Sequence, residues 1–335
     1  MATNTLNAFS SFLDGLSVRT MQGENLSREE ILRLLEIAPD APQSDLMRKK
    51  AREMAAILCQ NQGRVWSAVG VENKACPMNC HFCSFGEKWG LIKKESEWSD
   101  EEIIRVARLS AAQHVSWFTL RTTEVYSLER LCALAKKIRA EVPGQYALVV
   151  NTGELTAEQG KELKNAGIAG VYHTLRLGEG TATCFDPAVR LATMKAVSDS
   201  GLKLYHLIEP LGPEHSNDEI VDRLLAARDC RASLGGVMAR INVKDTPFGD
   251  KEPISEDRVS QIVAISRICG GSSTPDVCVV PPSKQGLLAG ANVVTTEIGS
   301  IPRSEQTEHQ EAWTGFGIPE AFALLHEAGY EVPQK

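Results

Sequence analysis

Hydrophobic and polar residues follow two different periods along this chain, and the two periods predict two kinds of element. Short apolar runs, typical of buried strands, predict strands at 65–71, 115–120, 146–150, 170–173, 202–207, 236–241, 277–280 and 292–295. Most of the segments between them have apolar residues at helical spacing, and several begin with Ser, Thr or Asp and end at Gly. The segment after the seventh strand, residues 283–290, predicts only a short helix.

This alternation predicts an α/β protein, specifically a closed (β/α)₈ barrel of the TIM type. An open doubly wound sheet is the competing arrangement, and the number of strands favours the barrel. We expect residues 1–62 to form an N-terminal helical extension, in which Ser27 and Glu30 make a capping box. Residues 63–335 then form the barrel, with a closing helix near the C-terminus.

Composition excludes several classes of function. The chain has 335 residues and a net charge of −7 without a basic block, so a nucleic-acid partner is not predicted. No apolar run approaches the roughly 18 residues of a membrane-spanning helix. The N-terminus lacks the pattern of a secretory signal, which favours the cytoplasm. Nine cysteines are then expected to be reduced, and clustered ones become candidates for metal binding or catalysis.

The strongest chemical signal is the stretch ENKACPMNCHFCSFG, directly after the first predicted strand. Cys76, Cys80 and Cys83 have the spacing C-x3-C-x2-C and fall at the end of the barrel where active sites lie. Thiolates are the usual ligands of iron–sulfur clusters, and three of them leave one iron of a [4Fe–4S] cluster open. Structural zinc and a conventional electron-transfer cluster remain alternatives, although no second ligand pair or adjacent fourth cysteine is evident.

The cysteine spacing, with Phe82 before the last cysteine, resembles the signature of the radical S-adenosylmethionine (SAM) superfamily. The segments RLATMKAVSDSGLKL, INVKDTPFGD and LLAGAN further resemble its biotin synthase branch, which includes methylornithine synthase and the full-barrel [FeFe]-hydrogenase maturase. This resemblance implies a cluster on Cys76, Cys80 and Cys83 that reductively cleaves SAM. The resulting 5′-deoxyadenosyl radical would abstract hydrogen from a small-molecule substrate, with flavodoxin or ferredoxin as electron donor.

The resemblance also implies residues that contact SAM and substrate from the strand ends. The SAM candidates are Phe82, Thr122, Thr123, Glu124, His173, Arg176, Glu179 and Arg190. The substrate candidates are His206, Glu209, Asn242 and Lys244. Such polar strand ends favour a small polar or anionic substrate. For each residue a structural role, such as a surface ion pair, a strand-end turn or a core histidine, is the alternative.

Biotin synthase itself carries a second cluster, and the chain lacks the cysteines for it. Thr119, Val149 and Tyr205 occupy three matching positions, and only Cys278 falls where a ligand is expected. Biotin formation is therefore not predicted. Several alternatives remain open. The reaction could be a rearrangement, a bond cleavage, or a sulfur insertion with a second cluster held by Cys184 and Cys278. The chain could also be a non-catalytic iron–sulfur protein.

Overall fold

The computed structural model describes residues 2–304 and 316–333. Eight parallel strands form a closed ring, because each strand pairs with the next and the eighth pairs with the first. The strands are β1 Arg64–Gly70, β2 Trp117–Arg121, β3 Ala147–Asn151, β4 Gly170–Tyr172, β5 Lys203–Tyr205 with Ile208–Leu211, β6 Leu234–Ala239, β7 Asp276–Val280 and β8 Val293–Gly299. The predicted TIM-type barrel is confirmed.

Helices precede the barrel, cover its outer face and follow its last strand. They are α1 Ala2–Met21, α2 Arg28–Leu35, α3 Pro42–Leu58, α4 Asp100–Ala112, α5 Leu128–Glu141, α6 Ala157–Asn165, α7 Pro187–Asp199, α8 Asn217–Asp229, α9 Glu256–Gly270, α10 Lys284–Leu288 and α11 Ile318–Glu327. The capping box of Ser27 and Glu30 begins α2 as predicted. Among the described helices, none is both long and apolar enough to span a membrane.

The strands are apolar on both faces because one face meets the helices and the other meets the barrel interior. All five residues of β2 are buried. Phe118 and Leu120 belong to the large core between strands and helices, whereas Trp117 belongs to a second core inside the ring. This double burial explains why the strands show as continuous apolar runs in the sequence.

An aromatic floor, formed by Trp66, Trp117 and Tyr205, fills the lower part of the barrel interior. The ring centroids of Trp66 lie 6.1 Å from Trp117 and 5.6 Å from Tyr205. Both indole nitrogens are satisfied, since Trp66 Nε1 donates to Thr119 Oγ1 at 2.6 Å and Trp117 Nε1 donates to the Tyr205 hydroxyl at 3.2 Å. Packed rings with satisfied polar atoms close this end of the barrel.

The predicted end of the eighth strand was wrong, because β8 continues to Gly299. The sequence pattern stops at 295, where polar residues interrupt the apolar run. In the structure, Thr295 and Glu297 point into the barrel cavity while Val294 and Ile298 pack outward. Polar residues are accommodated in the strand because its inner face lines a polar cavity at this height.

The N-terminal helices share the core of the barrel. Helix α1 packs on α3 and α9, and α3 packs on α9. Leu13 and Leu16 of α1 are almost fully buried and belong to the same core as the outward-facing strand residues. Helix α1 therefore contributes to the stability of the barrel as well as preceding it in sequence.

Shortening Leu13 tests this coupling. We expect Leu13→Ala to lower the free energy of unfolding by about 2–5 kcal/mol, because it leaves a cavity in the shared core. Val18→Ala, on the same helix at a position 53% exposed, should change it by less than about 0.5 kcal/mol. Urea unfolding followed by circular dichroism measures both values. Equal stability of the two variants would contradict a shared core.

Candidate active site

A cavity of about 960 Å³, including its mouth, opens at the carboxyl ends of the strands. This is the end of a TIM-type barrel where active sites lie. Ten of the predicted site residues line it, namely Cys76, Cys80, Phe82, Cys83, Thr122, Thr123, Glu124, Arg176, Arg190 and Glu209. The structure thus brings the three cysteines and most of the predicted SAM-contact residues to one space.

Backbone hydrogen bonds fold the cysteine segment into a compact loop over this cavity. The Cys76 amide donates to the Phe85 carbonyl at 2.7 Å, which joins the two ends of the loop. The His81 amide donates to the Ala182 carbonyl at 2.9 Å, and the His81 carbonyl accepts from the Phe248 amide at 3.0 Å. The loop is therefore fixed to segments that follow two later strands, and the thiols cannot move apart freely.

The three cysteine thiols are buried, and their environment favours binding to iron. Burial raises the pKa of Cys80 to about 12 and that of Cys83 to about 11, and it also raises the pKa of Cys76. A bound metal removes these protons, because its charge stabilises the thiolates. Among the described residues, no three His, Cys, Asp or Glu side chains stand close enough to hold one metal ion. A [4Fe–4S] cluster does not require the three thiols to meet at one metal ion, because each cysteine binds its own iron atom.

Arg176 lies beside the cysteines and is held by two carboxylates. Its Nη1 lies 3.8 Å from Glu179 Oε1 and makes no hydrogen bond with a described residue, and its Nε lies 3.6 Å from Glu209 Oε1. Nearby carboxylates, with Glu179 contributing most, outweigh the effect of burial and raise the pKa of this guanidinium. The charged group is therefore retained in the cavity wall with donor capacity left for a ligand.

Arg190 also lines the cavity, but its donors are already engaged. Nη1 donates to Glu154 Oε1 at 2.8 Å, and Nη2 and Nε donate to the Thr174 carbonyl at 3.0 and 3.2 Å. Its Nε also lies 3.5 Å from Glu179 Oε2. The guanidinium is 4.6 Å from the Phe185 ring centroid. Arg190 consequently fixes the loop after β4 and faces the cavity mainly as a buried positive charge.

The threonines after β2 are engaged in the protein framework. The amide and Oγ1 of Thr123 both donate to Glu72 Oε1, at 3.0 and 2.5 Å. Thr122 Oγ1 contacts Thr152 Oγ1 at 3.1 Å. Glu124 accepts from the Glu154 amide at 3.1 Å, and burial raises its pKa. Glu124 is therefore the residue of this group with the clearest capacity to contact a ligand.

Two predicted SAM residues lie behind the cavity wall. Glu179 accepts from the Arg176 amide at 2.9 Å and from Thr183 Oγ1 at 2.6 Å, which fixes the loop that carries Arg176. His173 is buried, and its Nε2 lies 3.2 Å from Glu154 Oε2 without the alignment of a hydrogen bond. Burial and Arg190 lower the pKa of His173 to about 4, so its ring is neutral.

Three predicted substrate residues are not brought to the cavity. His206 points outward into the helix layer, because its neighbours Tyr205 and Leu207 point inward and strand side chains alternate. Asn242 accepts a hydrogen bond from Arg240 Nε at 3.0 Å, and Lys244 is exposed to solvent. The fourth, Glu209, accepts hydrogen bonds from Tyr172 and Thr174 and does line the cavity.

Sequence reasoning missed a buried charge cluster deeper in the barrel. Glu297 of β8 binds Arg121 of β2 and Arg303, which follows β8. Burial disfavours the charged carboxylate, but the two guanidinium groups outweigh it and lower the pKa of Glu297 to about 2. Within the part of the chain that the structure describes, Arg121 Nε and Arg303 Nε make no hydrogen bond. The positions of these charged residues at or after strand ends were the one sequence signal for the cluster. The signal did not show which residues pair, because the ion pairs join distant segments of the chain.

Comparison with known proteins shows what the chain is similar to. No family model matches the chain. It is 24% identical to biotin synthase of Sulfurihydrogenibium sp. (strain YO3AOP1) over 280 residues, which cover 79% of this chain and 81% of that relative. It is also 24% identical to biotin synthase of Brachyspira hyodysenteriae over 347 aligned positions, covering 96% of each chain.

The chain is a radical SAM enzyme and resembles the biotin synthase branch of these enzymes. Such enzymes use a [4Fe–4S] cluster and SAM. The fold of this radical SAM enzyme is similar to that of HydG, a maturase of the [FeFe]-hydrogenase, with a TM-score of 0.79, 16% identity and coverage of 98% of this chain and 78% of HydG. It is also similar to methylornithine synthase (PylB), with a TM-score of 0.77, 14% identity and coverage of 95% and 97%.

Substitution of one cysteine in the cavity tests where the cluster binds. We expect Cys80→Ser to lower the iron content of anaerobically reconstituted enzyme from about four atoms per chain to less than about one, because two thiolates hold a cluster poorly. Cys184→Ser is the matched control, since Cys184 is exposed and does not line the cavity. Iron and sulfide analysis with absorption spectroscopy measures both. Loss of iron in the control but not in Cys80→Ser would refute the assignment.

Proposed function

We propose that this radical SAM enzyme binds its cluster through Cys76, Cys80 and Cys83 and binds SAM beside them. The observation that carries the proposal is that these thiols line the same cavity as Arg176, whose Nη1 makes no hydrogen bond among the described residues. The proposed reaction is hydrogen abstraction from a small polar or anionic substrate deeper in the barrel. When bound, the cluster supplies the electron that splits SAM into methionine and a 5′-deoxyadenosyl radical.

The upper part of the cavity has the charges that SAM requires. SAM carries a carboxylate, an amino group and a positive sulfonium. Arg176 offers a charged donor for the carboxylate, and Glu124 offers an acceptor for the amino group. Phe82 and Phe185 contribute apolar surface to the same wall. These four residues are the proposed SAM contacts, and Arg190 positions the loop that carries Arg176.

The lower part of the cavity is the proposed substrate chamber. It has a volume of about 470 Å³, including the space that is open to solvent, and it lies between the cysteines and the aromatic floor. Its polar groups include the Arg121–Glu297–Arg303 cluster, Asn151 and Tyr172. The free Nε groups of both arginines are aimed into a low-dielectric space, where an anionic substrate group would satisfy them. A small carboxylate or amino-acid-like substrate fits these charges.

The aromatic floor argues against biotin formation. Tyr205 and the two tryptophans fill the barrel where a second cluster would need cysteine ligands. Cys278 is fully buried within this packing, Cys184 is exposed, and neither lines the cavity. We therefore assign the chain a reaction that needs one cluster only, such as rearrangement or bond cleavage.

We also propose that a small electron-transfer protein, such as flavodoxin or ferredoxin, reduces the cluster. The proposed location is the cytoplasm, where glutathione and thioredoxin keep thiols reduced. All nine cysteines are free in the structure, which is consistent with that compartment. The donor would approach the cysteine loop, because the mouth of the cavity is the route by which the barrel opens to solvent.

Replacing Arg176 tests the proposed SAM contact. We expect Arg176→Gln to raise the KM for SAM by about 10–100-fold, because a charged hydrogen bond in a buried site is lost. Arg108→Gln on the exposed surface should leave the KM unchanged. The assay measures 5′-deoxyadenosine from SAM under dithionite, and the absorption spectrum confirms equal cluster loading. An unchanged KM in Arg176→Gln would remove Arg176 from the SAM site.

Deuterium transfer tests the class of substrate. Metabolites from cells grown in D₂O are separated by charge and incubated with holoenzyme, SAM and dithionite. We expect deuterated 5′-deoxyadenosine with the anionic or zwitterionic fraction, because the chamber presents Arg121 and Arg303. In the Arg303→Met variant, deuterium transfer to 5′-deoxyadenosine should fall more than tenfold, while slow cleavage of SAM in the absence of substrate should persist. Transfer from the neutral fraction alone would contradict an anionic substrate.

A further inference from the structure

A second large cavity lies outside the barrel ring, between strands and helices. It is bounded by the outward faces of β5 and β6, by α8 and α9, and by the loop between α1 and α2. Its volume is about 1190 Å³ including its mouth. About 340 Å³ of this space accommodates the centres of water-sized spheres, which is comparable to sites for small organic molecules and exceeds what one or two structural waters fill. It shares no lining residue with the proposed active site.

Strand β6 lines this cavity with a glycine on its outer face. Leu234 and Met238 point into the barrel, so alternation directs Gly235 and Val237 toward the helices. A Cβ built at Gly235 would make one tight contact, with Thr274 Cγ2 at 3.2 Å, so the glycine lines the cavity next to Thr274. Packed interiors seldom contain voids of this size without an occupant.

Two buried polar atoms at this cavity have no partner. His206 is 2% exposed, and its Nε2 has no hydrogen-bond partner. Ser266 Oγ, on α9, is also unpartnered. Burial lowers the pKa of His206 to about 3, so the ring is neutral. A neutral imidazole has one protonated and one unprotonated nitrogen, and an unprotonated Nε2 presents a lone pair that accepts a hydrogen bond.

The remaining walls of this cavity carry no unpaired charge. Arg228 Nε donates to Asp229 Oδ1 at 2.9 Å, and Arg231 Nη2 donates to Asp199 Oδ1 at 2.6 Å. Glu24 pairs with an arginine of α1. Apolar side chains make up most of the rest, namely Leu26, Ile31, Ile208, Leu224, Leu225, Ala227, Ala232 and Cys269. The surroundings favour a neutral occupant with an apolar body.

We propose that this cavity is a second binding site, for a small neutral molecule with an apolar ring or chain and a hydroxyl or N–H group. The hydroxyl or N–H donates to His206 Nε2 at the inner end, and the apolar body packs between α8 and α9. The ligand does not take part in the radical reaction, because the strands separate it from the barrel interior.

Fluorine NMR of the holoenzyme with two matched probes tests this site. The probes are 4-fluorophenol, which has a hydroxyl donor, and fluorobenzene, which lacks one. We expect saturable binding of both, with 4-fluorophenol about tenfold tighter, because only it satisfies the buried acceptor. Absence of saturable binding would overturn the proposal, and so would equal affinity for the two probes.

Three variants locate the binding. His206→Leu should keep fluorobenzene binding but remove the preference for 4-fluorophenol, and it should fold, because it removes an unsatisfied polar group. Ala227→Leu should weaken both probes at least tenfold by filling the cavity. Ala133→Leu, exposed on α5, is the control for an added side chain. Binding that survives Ala227→Leu unchanged would place the probes elsewhere and refute the site.

Discussion

Alternation of side chains in a closed ring of parallel strands is the constraint on which the whole structure depends. Each strand residue faces either the barrel interior or the helix layer, and a neighbour in sequence faces the opposite side. Tyr205 and Leu207 take the interior, so His206 belongs to the outer layer. The same rule puts Glu297 into the cavity between outward-facing neighbours. The active site, the aromatic floor and the outer cavity all follow from this assignment.

Each arginine inside the barrel has a carboxylate within reach. Removing an isolated charge from water is costly, and a buried guanidinium therefore requires a carboxylate or several carbonyl acceptors. Arg190 has Glu154 and the Thr174 carbonyl, and Arg121 shares Glu297 with Arg303. Against this background, the few nitrogen atoms left without partners are informative. Arg121, Arg176 and Arg303 carry such atoms and line the cavity, whereas His173 carries two of them behind the cavity wall.

The sequence predicted the elements that depend on local pattern. Strand and helix periods revealed the barrel, and the short spacing of Cys76, Cys80 and Cys83 revealed their common site. It did not predict the cluster of Arg121, Glu297 and Arg303, because that contact joins β2 to β8 across the closure of the ring. The sequence analysis also placed His206 wrongly, at the substrate. Side chains alternate along a strand, so an error of one residue in the alternation assigns every side chain to the opposite face.

The closed floor of the barrel has a kinetic consequence. Because Trp66, Trp117 and Tyr205 close the lower end, molecules reach the chamber only from the mouth, past the cysteine loop. In the proposed arrangement SAM lies nearer the mouth than the substrate, and it would block the path once bound. Binding would then be ordered, with substrate first and SAM second, and products would leave in the reverse order. Side-chain packing at the lower end of the barrel would thus determine the order in which substrate and SAM bind at the upper end.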